Sequence, residues 1–158
     1  MSEHKATLTW KRKGPGFCEG KYSREHEWSF DGGTHVAASA APANVPPPYS
    51  NPAAVDPEEA FVAAISSCHL LTYLYLASQR GFEVESYVDH AVGVMTRNER
   101  GVPWVSSVVL RPEVTYQGEH VPSREEEEQL HHLAHEQCYI ANSVKTNVTV
   151  HCPAAASG

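Results

Sequence analysis

The stretch that decides the fold is Asp-Pro-Glu-Glu-Ala-Phe-Val-Ala-Ala-Ile-Ser-Ser-Cys-His-Leu-Leu-Thr-Tyr-Leu-Tyr-Leu-Ala-Ser-Gln-Arg-Gly, from Asp56 to Gly81. Its beginning carries helix-start chemistry, because Asp56 suits a capping position, Pro57 the first helical position and Glu59 a capping box. Gly81 suits the left-handed conformation that closes a helix. We therefore predict one long helix over this stretch.

Nearly every face of this helix is apolar, with only Ser66, Ser67, His69 and Thr72 as interruptions. This pattern is typical of a core helix rather than of an amphipathic surface helix. The apolar run is too short and too interrupted to predict a membrane span. Cys68, near the middle of the helix, is therefore expected inside the core or at the floor of a pocket in it.

The composition narrows the class of protein. The chain has 158 residues, which is enough for one domain with a hydrophobic core, and we predict a single domain over residues 1–158. No stretch resembles a targeting segment, so we expect a cytoplasmic protein. With 12 Lys plus Arg against 19 Asp plus Glu, the net charge of −7 argues against nucleic acid or an anionic membrane as a partner. Four widely spaced cysteines without a C-x-x-C pair do not form a disulfide scaffold.

Strands and a loop are predicted before the helix. Alternating polar and apolar residues predict strands at 5–13, 21–30 and 34–39, the first two as an antiparallel pair. Residues 40–55 contain five prolines and are expected to form a stiff, extended loop. Long loops inside compact domains are often functional covers.

The pattern after the helix predicts a second helix and three strands. In chain order we expect a strand at 83–96, a hairpin turn at 98–101, a strand at 104–116, a helix at 125–137, a strand at 146–152 and a frayed tail at 153–158. Ser123 and Glu126 form a capping box at the start of the second helix. This order predicts an α+β fold with an antiparallel sheet packed on the long central apolar helix. Because a helix that is apolar all round needs neighbours on every side, we also expect an intertwined homodimer.

A charged pair is predicted near the start of the helix. Arg24 shares a strand face with aromatic residues, so its guanidinium is expected to point to the buried side. A buried arginine needs a carboxylate, and Glu58 in the first helical turn is available, although a glutamate there also has a purely capping interpretation. Glu58 and Cys68 lie ten residues apart, which is about 15 Å along a straight helix. If both serve one site, either the helix is broken between them or Glu58 comes from the other subunit.

The role of Cys68 stays open on residue chemistry alone. It is either a small packed side chain or a reactive thiol, and a reactive thiol in apolar surroundings needs a cation such as Arg24 beside it. Cys138 is a candidate second thiol, again with simple burial as the alternative. Cys18 and Cys152 are expected to be incidental.

The histidines offer two further interpretations. His131, His135 and Cys138 lie on one stripe of the second helix and are residue types that zinc accepts, although no second ligand cluster accompanies them. The second interpretation is a cysteine hydrolase, with Cys68 as nucleophile and His69 or His135 as base. It is weakened because His69 projects about 100° away from Cys68 on a helix.

Several motifs together have a familiar arrangement. They are Asp56-Pro57-Glu58-Glu59, Ser67-Cys68-His69, Leu110-Arg111-Pro112, His132-x-x-His135-Glu136-x-Cys138-x-Ile140-x-Asn142-Ser143 and a closing valine-rich strand. From Trp10 to Val150 the chain resembles the OsmC/Ohr family of thiol-dependent peroxidases. It is closer to the OsmC-like branch than to the organic hydroperoxide resistance branch, whose second cysteine is typically followed by proline, because Tyr139 follows Cys138 here.

The resemblance implies roles for the candidate residues. Cys68 becomes the peroxidatic cysteine, Cys138 the resolving cysteine and Glu58 the carboxylate that orients an arginine, for which Arg24 is our candidate. It also implies an intertwined homodimer with two sites at the interface, no metal, no organic cofactor, and reduction by lipoylated proteins or other dithiols. Apolar residues around the thiol favour alkyl or lipid hydroperoxides over hydrogen peroxide, because an apolar tail gains by burial. Candidates for that apolar lining are Phe61, Leu71, Tyr75 and Trp104.

Overall fold

A computed structural model describes residues 1–152 of the chain. The tail predicted at 153–158 lies outside the described residues. The chain consists of two compact units, residues 1–60 and a second unit that begins at Phe61. The single domain over residues 1–158 stays a prediction.

The first unit contains a three-stranded antiparallel sheet. Its strands are β1 (Ala6–Thr9), β2 (His26–Phe30) and β3 (His35–Ala38), and they lie in that order across the sheet. The predicted antiparallel pairing of the first two strands is confirmed. Both strands are shorter than predicted, and β2 begins only at His26, so Arg24 precedes the strand instead of lying on its face.

The proline-rich stretch at 40–55 forms the loop that the sequence predicts, with one isolated bridge at its end between Val55 and Ala38. Asn51 holds this loop to the sheet unit. Its backbone amide donates to Ser39 Oγ at 3.0 Å, and its side-chain amide donates to Glu25 Oε1 at 3.0 Å. The loop is therefore fixed by specific polar contacts.

Helix α1 runs from Pro57 to Gln79, which confirms the predicted long helix. The capping box is present, because Asp56 Oδ1 accepts from the Glu59 amide at 2.8 Å and Glu59 Oε2 accepts from the Asp56 amide at 3.1 Å. Gly81 has a φ of +74°, the left-handed conformation expected after the helix end. The helix is continuous between Glu58 and Cys68, so a break is not the way in which these two residues meet.

Only one stripe of α1 is buried. Its residues recur every four positions: Ile65, His69, Tyr73 and Ala77. On the opposite face Leu71 is 64% exposed and Tyr75 is 61% exposed. By length and composition α1 is able to cross a membrane, but a core helix passes the same test, so this is weak support for a span.

The second unit corrects the two long strands predicted at 83–96 and 104–116. Each is divided into two, and the resulting strands are β4 (Glu83–Asp89), β5 (Val92–Arg97), β6 (Pro103–Leu110) and β7 (Pro112–Gln117). Strand β4 pairs with β7 and β5 pairs with β6, both antiparallel. The predicted hairpin and its turn at 98–101 are therefore confirmed, but the hairpin is interrupted in the middle.

The side chain of Asp89 explains the interruption. Asp89 Oδ1 accepts from the Arg111 backbone amide at 2.6 Å, and Oδ2 accepts from Ser66 Oγ at 2.5 Å. The Arg111 amide is thereby satisfied outside the strand ladder, and Pro112 has no amide hydrogen to offer. Asp89 thus ties both halves of the hairpin to helix α1.

The remaining elements complete an α+β fold. Helix α2 (Arg124–Gln137) begins with the predicted capping box of Ser123 and Glu126, and strand β8 (Asn147–Val150) follows. Strand β8 pairs with β6 in parallel, so the sheet β5-β6-β8 is mixed, whereas the sequence predicted an antiparallel sheet. The α+β class itself is confirmed.

The core of the second unit lies between these sheets and helices. One cluster joins α1 to α2 through Tyr73, Ala77, Phe82, Leu130 and Ala134. A second cluster joins α1 to β6 through Ile65, Val108 and Leu110. Strand β5 approaches α1 so closely that a Cβ added to Gly93 would lie 2.5 Å from Val62 Cγ2.

A histidine pair lies within this core. His69 Nε2 and His131 Nδ1 are 3.1 Å apart, and the two rings are stacked with centroids 5.4 Å apart. Burial lowers the pKa of His69 to about 4, with His135 lowering it further and Asp89 opposing the shift. Burial, and then His69, lower the pKa of His131 to about 3. Both side chains are therefore neutral at pH 7.

The histidine pair should make the folded protein sensitive to acid. Below pH 6.5 a histidine in the unfolded chain binds a proton, while these two in the folded protein do not. The free energy of unfolding therefore decreases as the pH is lowered, until the folded pKa values near 4 and 3 are reached. Each histidine contributes a slope of up to about 1.4 kcal/mol per pH unit. We expect His131→Asn to reduce the slope of unfolding free energy against pH between about 6.5 and 4.5, measured by urea titration.

The matched control for this prediction is His132→Asn, which changes an exposed histidine of the same helix. It should leave the slope as in the wild type. If His131→Asn and His132→Asn have the same slope, the buried pair does not set the acid sensitivity.

Candidate active site

Cys68 lies in the middle of α1, one position before the buried His69. Cys68 is half-buried, and its backbone carbonyl accepts a hydrogen bond from Thr72 Oγ1 at 2.9 Å. The prediction placed Cys68 in the core or at the floor of a pocket. The structure places it between the buried stripe and the exposed face of the helix.

Cys138 lies at the C-terminal end of α2 and is 1% exposed. Its backbone there is extended, with φ of −68° and ψ of 112°, so the helix stops at this residue. The Ala141 amide donates to Cys138 Sγ at 3.4 Å. The chain then continues into a short 3₁₀ helix, Ala141–Ser143.

The side chain of Asn142 holds the end of α2 in place. Its Nδ2 donates to Glu136 O at 2.8 Å and to Cys138 O at 2.9 Å, and its backbone amide also donates to Cys138 O at 3.0 Å. These bonds satisfy carbonyls that the helix end leaves without partners. In the sequence Asn142 is only a member of a motif, although a side-chain amide four residues after Cys138 is a recognisable signal of this kind of helix end.

The two cysteines that the sequence singles out lie side by side. Burial raises the pKa of the Cys138 thiol to about 11, and the neighbouring Cys68 side chain is the next contribution in the same direction. Both cysteines are free thiols, as are Cys18 and Cys152. The arrangement is a pair of free thiols, of which the buried Cys138 keeps its proton at neutral pH.

An apolar surface adjoins this dithiol. A cavity of about 440 Å³ is lined by Leu71, Thr72 and Tyr75 of α1 together with Gln137 and Tyr139 on either side of Cys138. Leu71 and Tyr75 were predicted as apolar lining. The other two predicted lining residues, Phe61 and Trp104, do not line this cavity. Phe61 instead packs against the core cluster of Ile65 and Val108.

Arg24 belongs to the first unit and is not paired with Glu58 of the same chain. Its Nη1 donates to Gly20 O at 2.9 Å and to Tyr22 O at 2.6 Å, and its guanidinium lies 3.8 Å from the centroid of the Tyr22 ring. Within residues 1–152 no ion pair joins Arg24 to a carboxylate of the same chain. A pairing with Glu58 of the other subunit stays a prediction.

Glu58 lies in the first turn of α1, half-buried. Burial raises the pKa of its carboxyl, and the carboxyls of Asp56 and Glu59 nearby act in the same direction. In the described part of the chain its Oε2 is buried and has no hydrogen-bond partner. A buried carboxylate oxygen without a hydrogen-bond partner is costly, which distinguishes Glu58 from the exposed capping residue Glu59.

The zinc interpretation of His131, His135 and Cys138 does not fit the geometry. His131 Nδ1 is occupied by His69, and Cys138 Sγ faces Ala141 and Cys68. No group of three or more His, Cys, Asp or Glu residues within residues 1–152 is arranged to hold a metal ion. The donors that lay on one stripe in the sequence therefore do not converge.

The cysteine hydrolase interpretation also loses its nearest base. His69 Nε2 interacts with His131, and His69 Nδ1 is buried with no hydrogen-bond partner in residues 1–152. No hydrogen bond in this part of the chain links a histidine to Cys68. What the structure brings together at Cys68 is a second thiol.

The fold described above is one that known proteins share. A family model described as OsmC-like protein matches residues 50–152, which include helix α1 and both cysteines. The chain belongs to the OsmC-like protein family. This confirms the resemblance seen in the sequence.

Solved structures give the same result. An OsmC-like protein of unknown function from Vibrio cholerae is 52% identical, with a TM-score of 0.94 over 97% of this chain and 100% of that one. An organic hydroperoxide resistance protein from Elizabethkingia anophelis shares the fold at 18% identity, with a TM-score of 0.70 over 96% of this chain and 94% of that one. The organic hydroperoxide resistance protein OhrB of Bacillus subtilis shares the fold at 17% identity, with a TM-score of 0.64 over 94% of this chain and 98% of that one. A comparison with curated protein sequences gave no match.

The burial and raised pKa of Cys138 predict how the four thiols react. The thiolate is the form that iodoacetamide attacks, and a pKa of about 11 instead of 9 lowers the thiolate fraction roughly a hundredfold near neutral pH. We expect Cys138 to be the slowest cysteine to be alkylated in the folded, reduced protein, while the exposed Cys18 reacts readily. Timed alkylation with peptide mass mapping measures both rates.

Urea-unfolded protein serves as the control, because there the cysteines should react at similar rates. Alkylation of Cys138 in the folded protein as fast as that of Cys18 would show that the thiol is neither buried nor held protonated.

Proposed function

We propose that this protein is a thiol peroxidase that reduces organic hydroperoxides to alcohols with Cys68 as the reacting cysteine. The observation that carries the proposal is the second free thiol, Cys138, beside Cys68 in the reduced protein. A packed structural cysteine has no need of such a partner. Membership of the OsmC-like family, and a fold shared with organic hydroperoxide resistance proteins, support a peroxide-related activity.

The first step oxidises Cys68. Its thiolate attacks the distal oxygen of ROOH, the S–O bond forms as the O–O bond breaks, and the departing alkoxide takes a proton to give ROH. Cys68 becomes a sulfenic acid. Two electrons pass from sulfur to the peroxide, so no metal or organic cofactor is needed for this step.

The second step uses Cys138. Its sulfur attacks the sulfenic sulfur, the Cys68–Cys138 disulfide forms, and the hydroxyl leaves with the thiol proton as water. Because Cys138 is buried and its pKa is raised, its thiol stays protonated at neutral pH in the reduced protein. A dithiol, such as a lipoylated protein, then reduces the disulfide by thiol exchange and completes the cycle.

The proposed substrate class follows from the surface beside the thiols. Leu71 and Tyr75 are largely exposed in this chain and line a cavity with Tyr139. An alkyl or lipid hydroperoxide gains free energy by burying its tail against such a surface, whereas hydrogen peroxide has no tail to bury. The same exposed apolar residues are consistent with the proposed homodimer, which would cover part of the helix face.

Arg24 and Glu58 keep the roles that the family resemblance implies as proposals. Arg24 is proposed to supply the positive charge that favours the Cys68 thiolate, and Glu58 to orient that arginine. The protein is further proposed to act in the cytoplasm, without nucleic acid or a membrane as partner. The net charge of −7 supports the exclusion of polyanionic partners.

Turnover of cumene hydroperoxide with dihydrolipoamide as reductant tests the proposal. Wild-type protein should consume the hydroperoxide continuously, and Cys68→Ser should lose at least about a hundredfold in rate because the attacking sulfur is gone. Cys138→Ser should react at Cys68 and then accumulate sulfinic acid there, seen as a mass increase of the Cys68 peptide.

Cys18→Ser is the matched control, since it removes an exposed thiol outside the proposed cycle. It should turn over as the wild type does. Equal, slow consumption by the wild type and Cys68→Ser would contradict the peroxidase and favour a non-enzymatic protein in which Cys68 is simply packed.

A further inference from the structure

The buried sulfur of Cys138 has a backbone hydrogen-bond donor of its own. The Ala141 amide donates to Cys138 Sγ at 3.4 Å and to no other acceptor within residues 1–152. Burial raises the pKa of the Cys138 thiol, and this amide acts in the opposite direction because it stabilises the thiolate. A donor of this kind bonds a sulfur anion more strongly than a neutral thiol. The Ala141 amide is therefore placed to stabilise negative charge whenever it develops on Cys138.

Side chains of the following turn hold this amide in place. The Asn142 side chain and backbone amide both donate to Cys138 O, at 2.9 Å and 3.0 Å. Ser143 Oγ donates to Tyr139 O at 2.7 Å. Because these bonds fix the backbone on both sides of Ala141, its amide keeps its direction toward the sulfur.

The two sulfurs of the pair differ in how easily another molecule can reach them. Cys138 is 1% exposed, whereas Cys68 is half-buried. A cavity of about 440 Å³, lined by Leu71 and Tyr75 among others, adjoins the pair. Thiol–disulfide exchange depends on which sulfur the incoming thiol can reach, and that thiol must approach opposite to the sulfur that leaves. Access therefore favours an attack on Cys68.

We propose that a thiol that reduces the Cys68–Cys138 disulfide attacks Cys68, and that Cys138 leaves as a thiolate to which the Ala141 amide donates. This direction of attack, which rests on the proposed peroxidase cycle, assigns the Ala141 amide as a catalytic donor of the reductive step. Asn142 and Ser143 are its positioning residues. The oxidation of Cys68 by the hydroperoxide does not depend on this donor.

The reductive step balances with a dithiol as the reductant. The bond from the incoming sulfur to Cys68 forms as the S–S bond breaks, and the electron pair of that bond goes to Cys138. Cys138 then takes up the proton that the attacking thiol has lost. The second thiol of the reductant attacks the sulfur now bound to Cys68, closes the disulfide of the reductant and releases Cys68.

Burial of Cys138 opposes this direction, but its effect is limited. A sulfur with a raised pKa leaves more slowly, and a rise from 9 to about 11 slows its departure by at most about a hundredfold. An attack on Cys138 would first require the core around a residue that is 1% exposed to open. The Ala141 amide offsets part of the cost of the buried thiolate. Access thus decides which sulfur is attacked.

Trapping of the first exchange product tests the direction of attack. The disulfide is formed with diamide, which oxidises thiols without any peroxidase activity, and is then treated briefly with 2-mercaptoethanol. Free thiols are blocked with N-ethylmaleimide in urea, and the peptides are mapped by mass. We expect mercaptoethanol on Cys68 and N-ethylmaleimide on Cys138. Mercaptoethanol on Cys138, or equally on both cysteines, would overturn the proposal.

Two substitutions at one position test the donor. Ala141→Pro removes the amide hydrogen at the first residue of a short helix, where proline is tolerated, whereas Ala141→Ser keeps it. Dithiothreitol should reduce the disulfide of Ala141→Pro at least about threefold more slowly than that of Ala141→Ser, because the leaving thiolate has lost a hydrogen bond. The pH profile of Cys138 alkylation in the reduced proteins should move to higher pH in Ala141→Pro. Equal reduction rates and equal profiles would contradict a role for this amide.

A second variant leaves the Ala141 amide in the chain and loosens its support. Asn142→Ala should shift the alkylation profile of Cys138 in the same direction as Ala141→Pro, while the exposed Asn147→Ala serves as the control. A profile for Asn142→Ala identical to that of Asn147→Ala would overturn the positioning role. Circular dichroism establishes that each variant is folded. Absence of cumene hydroperoxide turnover, with mercaptoethanol still found on Cys68, would count against the peroxidase and not against the direction of attack.

Discussion

The proximity of the Cys68 and Cys138 thiols is the feature on which the account of this protein depends. Cys68 is placed by a helix whose one buried stripe packs against α2, and Cys138 is placed by the point at which α2 ends. Asn142 fixes that end by bonding two carbonyls of the last turn. The two thiols lie 70 residues apart in the sequence. They are brought together because α1 packs against α2 and because α2 ends at Cys138.

Local signals in the sequence predicted the helices well, whereas pairings between distant residues escaped them. The capping boxes of Asp56 with Glu59 and of Ser123 with Glu126 each lie within four residues, so they were readable. The interruption of the long hairpin depends on the hydrogen bond from the Arg111 amide to Asp89, which lies 22 residues earlier. No local sequence pattern predicts a contact between residues that far apart. The parallel pairing of β8 with β6 is non-local in the same way.

The candidate site shows the same division. Cys68 and Cys138 were singled out from residue chemistry and family motifs, and the structure brings them together. The pair of Arg24 and Glu58 was inferred from a strand that begins later than the alternation suggested. Arg24 instead satisfies nearby carbonyls and stacks on Tyr22, which a pattern of alternating residues does not reveal. The buried contact of His69 with His131 likewise joins residues 62 positions apart.

The most direct measurement of the central claim is to identify which cysteines pair after one equivalent of cumene hydroperoxide is added to reduced protein. Alkylation of the remaining thiols, digestion without reductant and peptide mass mapping reveal the linkage. We expect one disulfide, between Cys68 and Cys138, with Cys18 and Cys152 still free. A disulfide through Cys18 or Cys152, or no oxidation of Cys68, would contradict it.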